Sequence, residues 1–216
     1  TPSVDFVNQY ELGVKNRGNL GSGNYTVELT LLKGDFTRSD YEPTSTVTCP
    51  GGGCILNSDF KTSGAEMFAT YNMGGFSFIA NATYTKAKQR GTVVQNGNTL
   101  NTGSSSFRRA DNIPDLSYSL TGMYDFGMAS LGLTAVGQTS TLSGGYDWEG
   151  KTLFNLNGKV RPIENLEVGI NVYNLFDTFD GRGNGTGVVS ANGANSIVTV
   201  TPALGRTISG SIRFSF

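Results

Sequence analysis

Thr207-Ile208-Ser209-Gly210-Ser211-Ile212-Arg213-Phe214-Ser215-Phe216 is the stretch that decides the fold. Ile208, Gly210, Ile212, Phe214 and Phe216 alternate with Thr207, Ser209, Ser211, Arg213 and Ser215. Side chains of a β-strand point to opposite faces with period two, so one face is apolar and the other hydroxylated or charged. The same alternation recurs upstream. Leu166, Val168, Ile170 and Val172 oppose Glu167, Gly169, Asn171 and Tyr173. Phe154, Leu156 and Val160 oppose Asn155, Asn157, Lys159 and Arg161, and Tyr25, Val27, Leu29 and Leu31 oppose Thr26, Glu28 and Thr30. Phe76, Phe78, Ala80, Ala82 and Tyr84 alternate with Ser77, Asn81, Thr83 and Thr85.

All such runs together predict nine strands, near 8–17, 24–37, 60–72, 75–87, 113–126, 128–141, 147–161, 165–178 and 204–216. Several reach 12–14 residues. Strands of soluble proteins centre on about five or six, whereas a tilted strand needs about nine to eleven to cross a bilayer. The connections are sorted by length. Short turns fall at Arg17–Asn24, Asn72–Gly75, Phe126–Met128 and Pro162–Asn165. Long polar connections fall at Arg38–Asp59, Lys88–Asn112 and Thr178–Ala203, with a shorter one at Leu142–Tyr146. Tight turns at one end and long loops at the other are the plan of an outer-membrane barrel, and a β-sandwich has no reason to sort its loops this way.

Composition agrees. Of 216 residues 30 are Gly, 13 Phe and 9 Tyr, and charged residues make up 15%, against roughly 25% in ordinary soluble chains. The net charge of −1 gives no electrostatic footprint for nucleic acid. No apolar run approaches the roughly 20 residues of a membrane helix, and mean hydropathy is slightly polar. A barrel accounts for that average, since half of each strand faces a polar interior. Aromatic residues gather at strand ends: Tyr25, Tyr71, Phe76, Tyr124, Phe126 and Phe214 toward the short turns, and Phe36, Phe60, Tyr84, Tyr118, Trp148, Tyr173 and Phe176 toward the long loops. Two girdles at the two interfaces are the expectation.

The strand count predicts that the chain is one segment of a larger barrel. Nine strands in a meander leave the first and last running the same way, while bacterial barrels close antiparallel with even strand numbers. An open sheet would expose two edges and an apolar face. In a 22-stranded transporter barrel the first strand here would be the fourteenth, and its direction would match. The fold class is therefore all-β, an antiparallel up-and-down transmembrane β-barrel, with residues 1–216 as the C-terminal segment of one barrel domain. Thr1-Pro2-Ser3-Val4-Asp5 shows no signal peptide, as expected of a piece from inside a longer chain.

Several stretches resemble one family. The run from Gly205 to Phe216 resembles the terminal strand of outer-membrane proteins, in which the final aromatic residues, here Phe214 and Phe216, belong to the signal read by the barrel-assembly machinery. Val172-Tyr173-Asn174-Leu175-Phe176-Asp177 is similar to the segment ending the penultimate strand of TonB-dependent receptors. Tyr10-Glu11-Leu12-Gly13-Val14-Lys15, Ser63-Gly64-Ala65-Glu66, and Ile113-Pro114-Asp115 with Tyr118 and Leu120 resemble further strands of that family. The resemblance covers nearly the whole chain and about the last third of a full receptor. It implies an N-terminal plug and a TonB-contacting box outside this sequence, and import driven through TonB by the inner-membrane proton-motive force.

Candidate sites are few. The chain has no His, which removes the usual general base, the Ser-His-Asp and Cys-His arrangements and any His-based zinc site. No pair of acids is placed for catalysis; an enzyme is not expected, nor a cofactor or bound metal. Cys49 and Cys54 bracket Pro50-Gly51-Gly52-Gly53 within the first long loop. Two thiols make a poor zinc site, and in an oxidising compartment they predict a small disulfide ring that stiffens a loop tip. Asp177 to Gly185 lacks the acid spacing of a calcium loop and the fingerprint of a nucleotide loop, and reads as a flexible Gly-rich connection. Tyr41, Arg108, Arg109, Asp111, Tyr146 and Trp148 are candidate ligand contacts, being aromatic or charged on the long-loop side. A solvated loop or a girdle would also carry such residues. Lys15, Glu28, Glu66, Lys159, Arg161 and Arg213 are expected to face the lumen and pair there or meet the plug.

Three functions compete. The first is active import of a scarce solute, such as a ferric siderophore, cobalamin or glycan, with outer-membrane lipid, a small-molecule or metal-chelate ligand, the plug, TonB and the assembly machinery as partners. The second is a passive porin. The third is a secreted β-rich adhesin or carbohydrate-binding module, which the outward apolar faces disfavour.

Overall fold

The computed structural model describes residues 3–46, 49–100, 106–143, 146–178 and 205–215. In chain order the strands are β1 (Ser3–Leu20), β2 (Gly23–Glu42), β3 (Cys54–Met73), β4 (Phe76–Gln95), β5 (Asn98–Leu100), β6 (Arg108–Arg109), β7 (Leu116–Asp125), β8 (Ala129–Gln138), β9 (Thr141–Ser143), β10 (Tyr146–Trp148), β11 (Lys151–Ile163), β12 (Leu166–Tyr173) and β13 (Thr207–Phe214). Nine of them form one meandering sheet in the order β1-β2-β3-β4-β7-β8-β11-β12-β13, every neighbouring pair antiparallel. β5 and β6 hang on the far end of β4, and β9 with β10 makes a separate ribbon. No helix among the described residues is long and apolar enough to cross a membrane, which says nothing about a chain that crosses with strands.

The registers fix which side chains share a face. Val14, Leu29, Met67, Ala82 and Tyr118 are successive cross-strand partners, as are Leu120, Ala135 and Phe154. Leu131, Gly158, Ile170 and Gly210 continue the same face to the last strand. The opposite face carries Lys15 against Glu28, then Thr30, Glu66 and Thr83, then Thr121 hydrogen-bonded to Thr134 at 3.0 Å. Lys159, Arg161 and Arg213 meet Glu167 on that face, with Arg161 Nε donating to it at 2.9 Å. The six residues expected to face the lumen therefore share the polar side.

This is a single-layered sheet. Apolar side chains such as Leu12 and Ile212 remain 73% and 78% exposed. In water a continuous face of that kind drives association; against lipid it needs no protein partner. Among the described residues β1 pairs only with β2 and β13 only with β12, and these two strands do not close the sheet on each other.

The turn at Phe126–Met128 falls where the sequence predicts, and the other three short turns are tighter than predicted. β1 runs to Leu20, leaving only Gly21 and Ser22 between it and β2. Gly74 turns β3 into β4 at φ 57°, a left-handed conformation that lacks a Cβ penalty only for glycine. On the long-loop side the first strands overrun their expected ends. Residues 38–42 and 54–58, expected to be loop, pair from Arg38↔Ser58 to Glu42↔Cys54. There Ser39 Oγ donates to Asn57 Oδ1 at 2.7 Å, and just below them Thr37 Oγ1 donates to Asp59 Oδ1 at 2.9 Å. At the rows Thr37–Asp59, Arg38–Ser58 and Ser39–Asn57 both faces are polar, so the apolar alternation is interrupted while backbone pairing continues.

β4 likewise runs to Gln95 and folds back as β5 through Asn96 (φ 52°) and Gly97 (φ 79°), the geometry favoured in two-residue hairpins. The strand expected over 165–178 ends early, because Asn174 (φ 51°) breaks it into a turn. The strand expected to begin at 147 begins at Lys151, since Tyr146–Trp148 pairs instead with β9. Residues 179–204, which hold most of the last predicted loop, and Phe216 lie outside the described residues.

Candidate functional site

Six of the predicted girdle residues at the short-turn end, Tyr25, Tyr71, Phe76, Tyr124, Phe126 and Phe214, flank the apolar face. Tyr25 pairs with Tyr71, Phe76 with Tyr124 and Phe214 with Leu166, while Phe126 packs on Tyr124 at 4.6 Å between ring centroids. At the other end Tyr84 and Tyr118 lie on the same apolar face, and Phe176 packs edge-on against Phe154 at 5.2 Å. Phe36, Phe60 and Tyr173 do not belong to that girdle. Phe36 and Phe60 are register partners with the parity of the polar face, their rings 5.9 Å apart. With Val7, Leu32 and Thr62 they line a cavity of about 180 Å³. Residue parity alone carried that signal: Leu29 and Leu31 are odd and outward, so the even Phe36 points inward.

Above this interior aromatic pair stands the hairpin of β2 and β3. Its tip is closed by the Cys49–Cys54 disulfide, whose Cα atoms are 5.8 Å apart and whose cysteines are fully buried. Val93, Leu56 and Leu100 pack against it. Gln95 Nε2 donates to the Pro50 and Gly52 carbonyls at 3.0 and 2.7 Å, tying the β4 end to the ring. Gly52 (φ 76°) has no room for a Cβ beside the Pro43 carbonyl, so glycine is required there. The loop tip is held stiffly, as the cysteine spacing predicts.

Glu42 accepts hydrogen bonds from the Thr44 hydroxyl at 2.5 Å and the Thr44 amide at 3.0 Å. The hydroxyl contact and then the amide contact hold its carboxyl below the usual carboxylate value.

The sequence-predicted contact residues divide between the two faces. Arg108 pairs with Gln89 across β4 and so takes the interior parity. Its guanidinium donates twice to Asp111, both at 3.1 Å, and Gln89 Nε2 donates to the same carboxylate at 3.1 Å. Arg108, Asp111 and Gln89 thus form one interior polar cluster, with Arg38–Asp40 as a second ion pair at 3.0 Å on the same parity.

Arg109 turns the other way. It donates to the Ser140 carbonyl at 2.6 Å and lies 3.5 Å from Asp115 and 3.8 Å from Asp147. This fastens the β9–β10 ribbon to the β6 segment, assisted by Asn112 donating its amide to the Leu142 carbonyl at 2.6 Å. Trp148 stands in that ribbon, partnered by Thr141. Tyr41 has the outward parity beside Ile55, 44% exposed. Tyr146 lies in β10, and its side chain is outside the described residues.

Among the described residues no group of three or more His, Cys, Asp or Glu side chains converges as a metal site would. The interior of this end offers aromatic surface, guanidinium groups and amides, groups that stack on and hydrogen-bond to polar solutes.

Residues 6–175 match the family described as TonB dependent receptor-like, beta-barrel. No curated protein matches the sequence. Among solved structures the chain is similar to one titled "Copper transporter OprC", with 20% identity and a TM-score of 0.60. The superposition covers 97% of this chain and 31% of that one, so the chain spans about a third of the solved relative's length, and the likeness is one of fold.

Proposed function

The chain belongs to the TonB-dependent receptor-like β-barrel family, whose members are outer-membrane proteins, and on that footing we propose that it is part of an active importer of a scarce solute. The observation that carries this reading is the family match over residues 6–175. The sorted ends of the sheet support it. In this reading the long hairpins face outside, the aromatic pair Phe36–Phe60 and the Arg108–Asp111–Gln89 cluster border the upper lumen, and the lower lumen carries the ion-paired belt of Lys15–Glu28 and Arg161–Glu167. A plug supplied by another part of the polypeptide fills that lumen, and TonB pulls on it.

For the cargo, a ferric siderophore, cobalamin or glycan suits the interior better than a bare cation. Each is a large polar solute that stacking rings and guanidinium groups recognise. The solved relative's title names copper; this chain has no His and its cysteines are joined, so a metal arriving here would come already chelated. The test is uptake of a panel of ferric chelates, corrinoids and oligosaccharides by cells with and without TonB. Active import predicts saturable uptake of one class, lost without TonB or with a protonophore, and weakened several-fold by Arg108→Ala/Arg109→Ala. Uptake that is unsaturable and indifferent to TonB would establish the passive porin instead.

A further inference from the structure

We propose that the outward face of β2, β3 and β4, just beyond the apolar belt, binds the phosphorylated headgroup of a lipid in the outer leaflet. The proposal uses the outer-membrane placement and does not depend on what the transporter carries.

The observation is a sharp change along one face. The belt ends on the row Leu31–Ala65–Tyr84. Two residues further along each strand the same face carries Lys33, Ser63 and Lys86, then Asp35, Lys61 and Lys88, then Thr37, Asp59 and Arg90. Each row advances about 7 Å along the strands. Five cations and two carboxylates thus occupy three rows directly above the last apolar row, a net charge of +3 where lipid headgroups lie.

The segregation is specific. Within the nine sheet strands the outward parity carries Lys or Arg nowhere else. Lys15, Arg17, Arg38, Lys159 and Arg213 all take the interior parity. At the same height on β1, Tyr10 and Asn8 are neutral.

The patch is also partly pre-organised. Arg90 is fixed by Asp59, at 3.0 Å from Nε and 2.6 Å from Nη2, and Phe107 lies beneath both Arg90 and Lys61, with 4.6 and 4.8 Å from cation to ring centroid. Lys33, Lys86 and Lys88 are exposed and hold no carboxylate among the described residues. Three ammonium groups without a carboxylate partner, that of Lys86 lying over the Tyr84 ring at 5.9 Å from its centroid, stand with a braced guanidinium above them and match a multiply phosphorylated headgroup whose acyl chains lie along Leu29, Leu31, Met67 and Ala82.

The test is a native mass spectrometry titration of the full-length protein in detergent micelles with diphosphorylated lipid A. Parallel arms use the dephosphorylated glycolipid, phosphatidylcholine and inorganic phosphate. We expect retention of the diphosphorylated lipid alone. Each basic residue near an anionic lipid surface contributes about fivefold, so Lys33→Gln/Lys86→Gln/Lys88→Gln weakens binding roughly a hundredfold. The arginine version of the same triple variant, which keeps the charge, retains binding, and Lys15→Gln on the interior face leaves it unchanged. Heat-modifiable gel mobility verifies that each variant is folded. Equal binding by the glutamine variant, equal retention of the dephosphorylated lipid, or displacement by millimolar inorganic phosphate would each overturn the proposal.

Discussion

At the scale of single residues, Glu42 shows how the long-loop end is tuned. Its carboxylate caps the Thr44 hydroxyl and amide at the mouth of the disulfide hairpin, and these hydrogen bonds favour the ionised form. A lowered folded-state pKa means the contribution to loop order is present above the unfolded value and is lost as pH falls through the folded one. Protection of the loop amides, read as exchange relative to the intrinsic rate at each pH, should therefore persist below the ordinary Glu value and be lost only as pH falls further. In Thr44→Val the loss of protection should move to higher pH, toward the ordinary Glu value; an unshifted profile would remove this role from Thr44. Asn174 is a second residue of this kind. Buried, with φ 51°, it exchanges hydrogen bonds with Thr178 through both side-chain atoms, each at 2.9 Å, and its own backbone amide donates to Asn155 Oδ1 at 3.0 Å. It marks where a membrane strand stops and a surface turn begins.

At the scale of the strand, the two faces should respond oppositely to the same charge. Ile170 sits on the apolar face midway between the Phe214 row and the Phe154–Phe176 contact, and Asn171 is its neighbour on the polar face. A lysine facing lipid near the bilayer midplane costs about 2–4 kcal/mol. Ile170→Lys should lose that much in guanidinium unfolding from lipid vesicles, and Asn171→Lys less than about 1 kcal/mol. Equal losses would show that the faces are wrongly assigned. The assignment itself was legible in the sequence, because lipid imposes an apolar residue at every second position wherever a strand is in the membrane. Strand ends were not legible for the same reason. Beyond the headgroups both faces are wet, so Thr37, Ser39, Asn57 and Asp59 read as loop although they pair. The Asn96-Gly97 turn was a readable hairpin signal, hidden inside a stretch taken for loop. Of the candidate site, the cysteine ring followed from spacing. That Arg108 and Arg109 diverge to opposite faces needed only the short strand they occupy to be recognised. The cationic rows were beyond reach, since Lys33, Lys61, Lys86 and Lys88 converge only through registers spanning more than fifty residues.

At the scale of the molecule, the sheet is organised for a setting larger than itself. Its polar face carries ion pairs suited to a hydrated lumen, its apolar face suits lipid, and a cationic shelf lies at the boundary between lipid and water. Among the described residues the edges at β1 and β13 each leave one side of a strand without a partner strand, with Phe6, Leu12 and Val14 more than 60% exposed on the first. Two such edges running the same way do not close on each other antiparallel. We propose that further strands of the same polypeptide pair with both and complete a barrel in which these nine are the C-terminal portion. The solved relative, of which this chain spans 31%, has a length that accommodates such a barrel. The direct measurement is the intact mass of the native polypeptide carrying this sequence, extracted from an outer-membrane fraction. A mass several-fold above 22.9 kDa is the predicted result, leaving room for the remaining strands and a plug. A mass near 22.9 kDa would contradict the account, and closure would then have to come from association between copies of the chain.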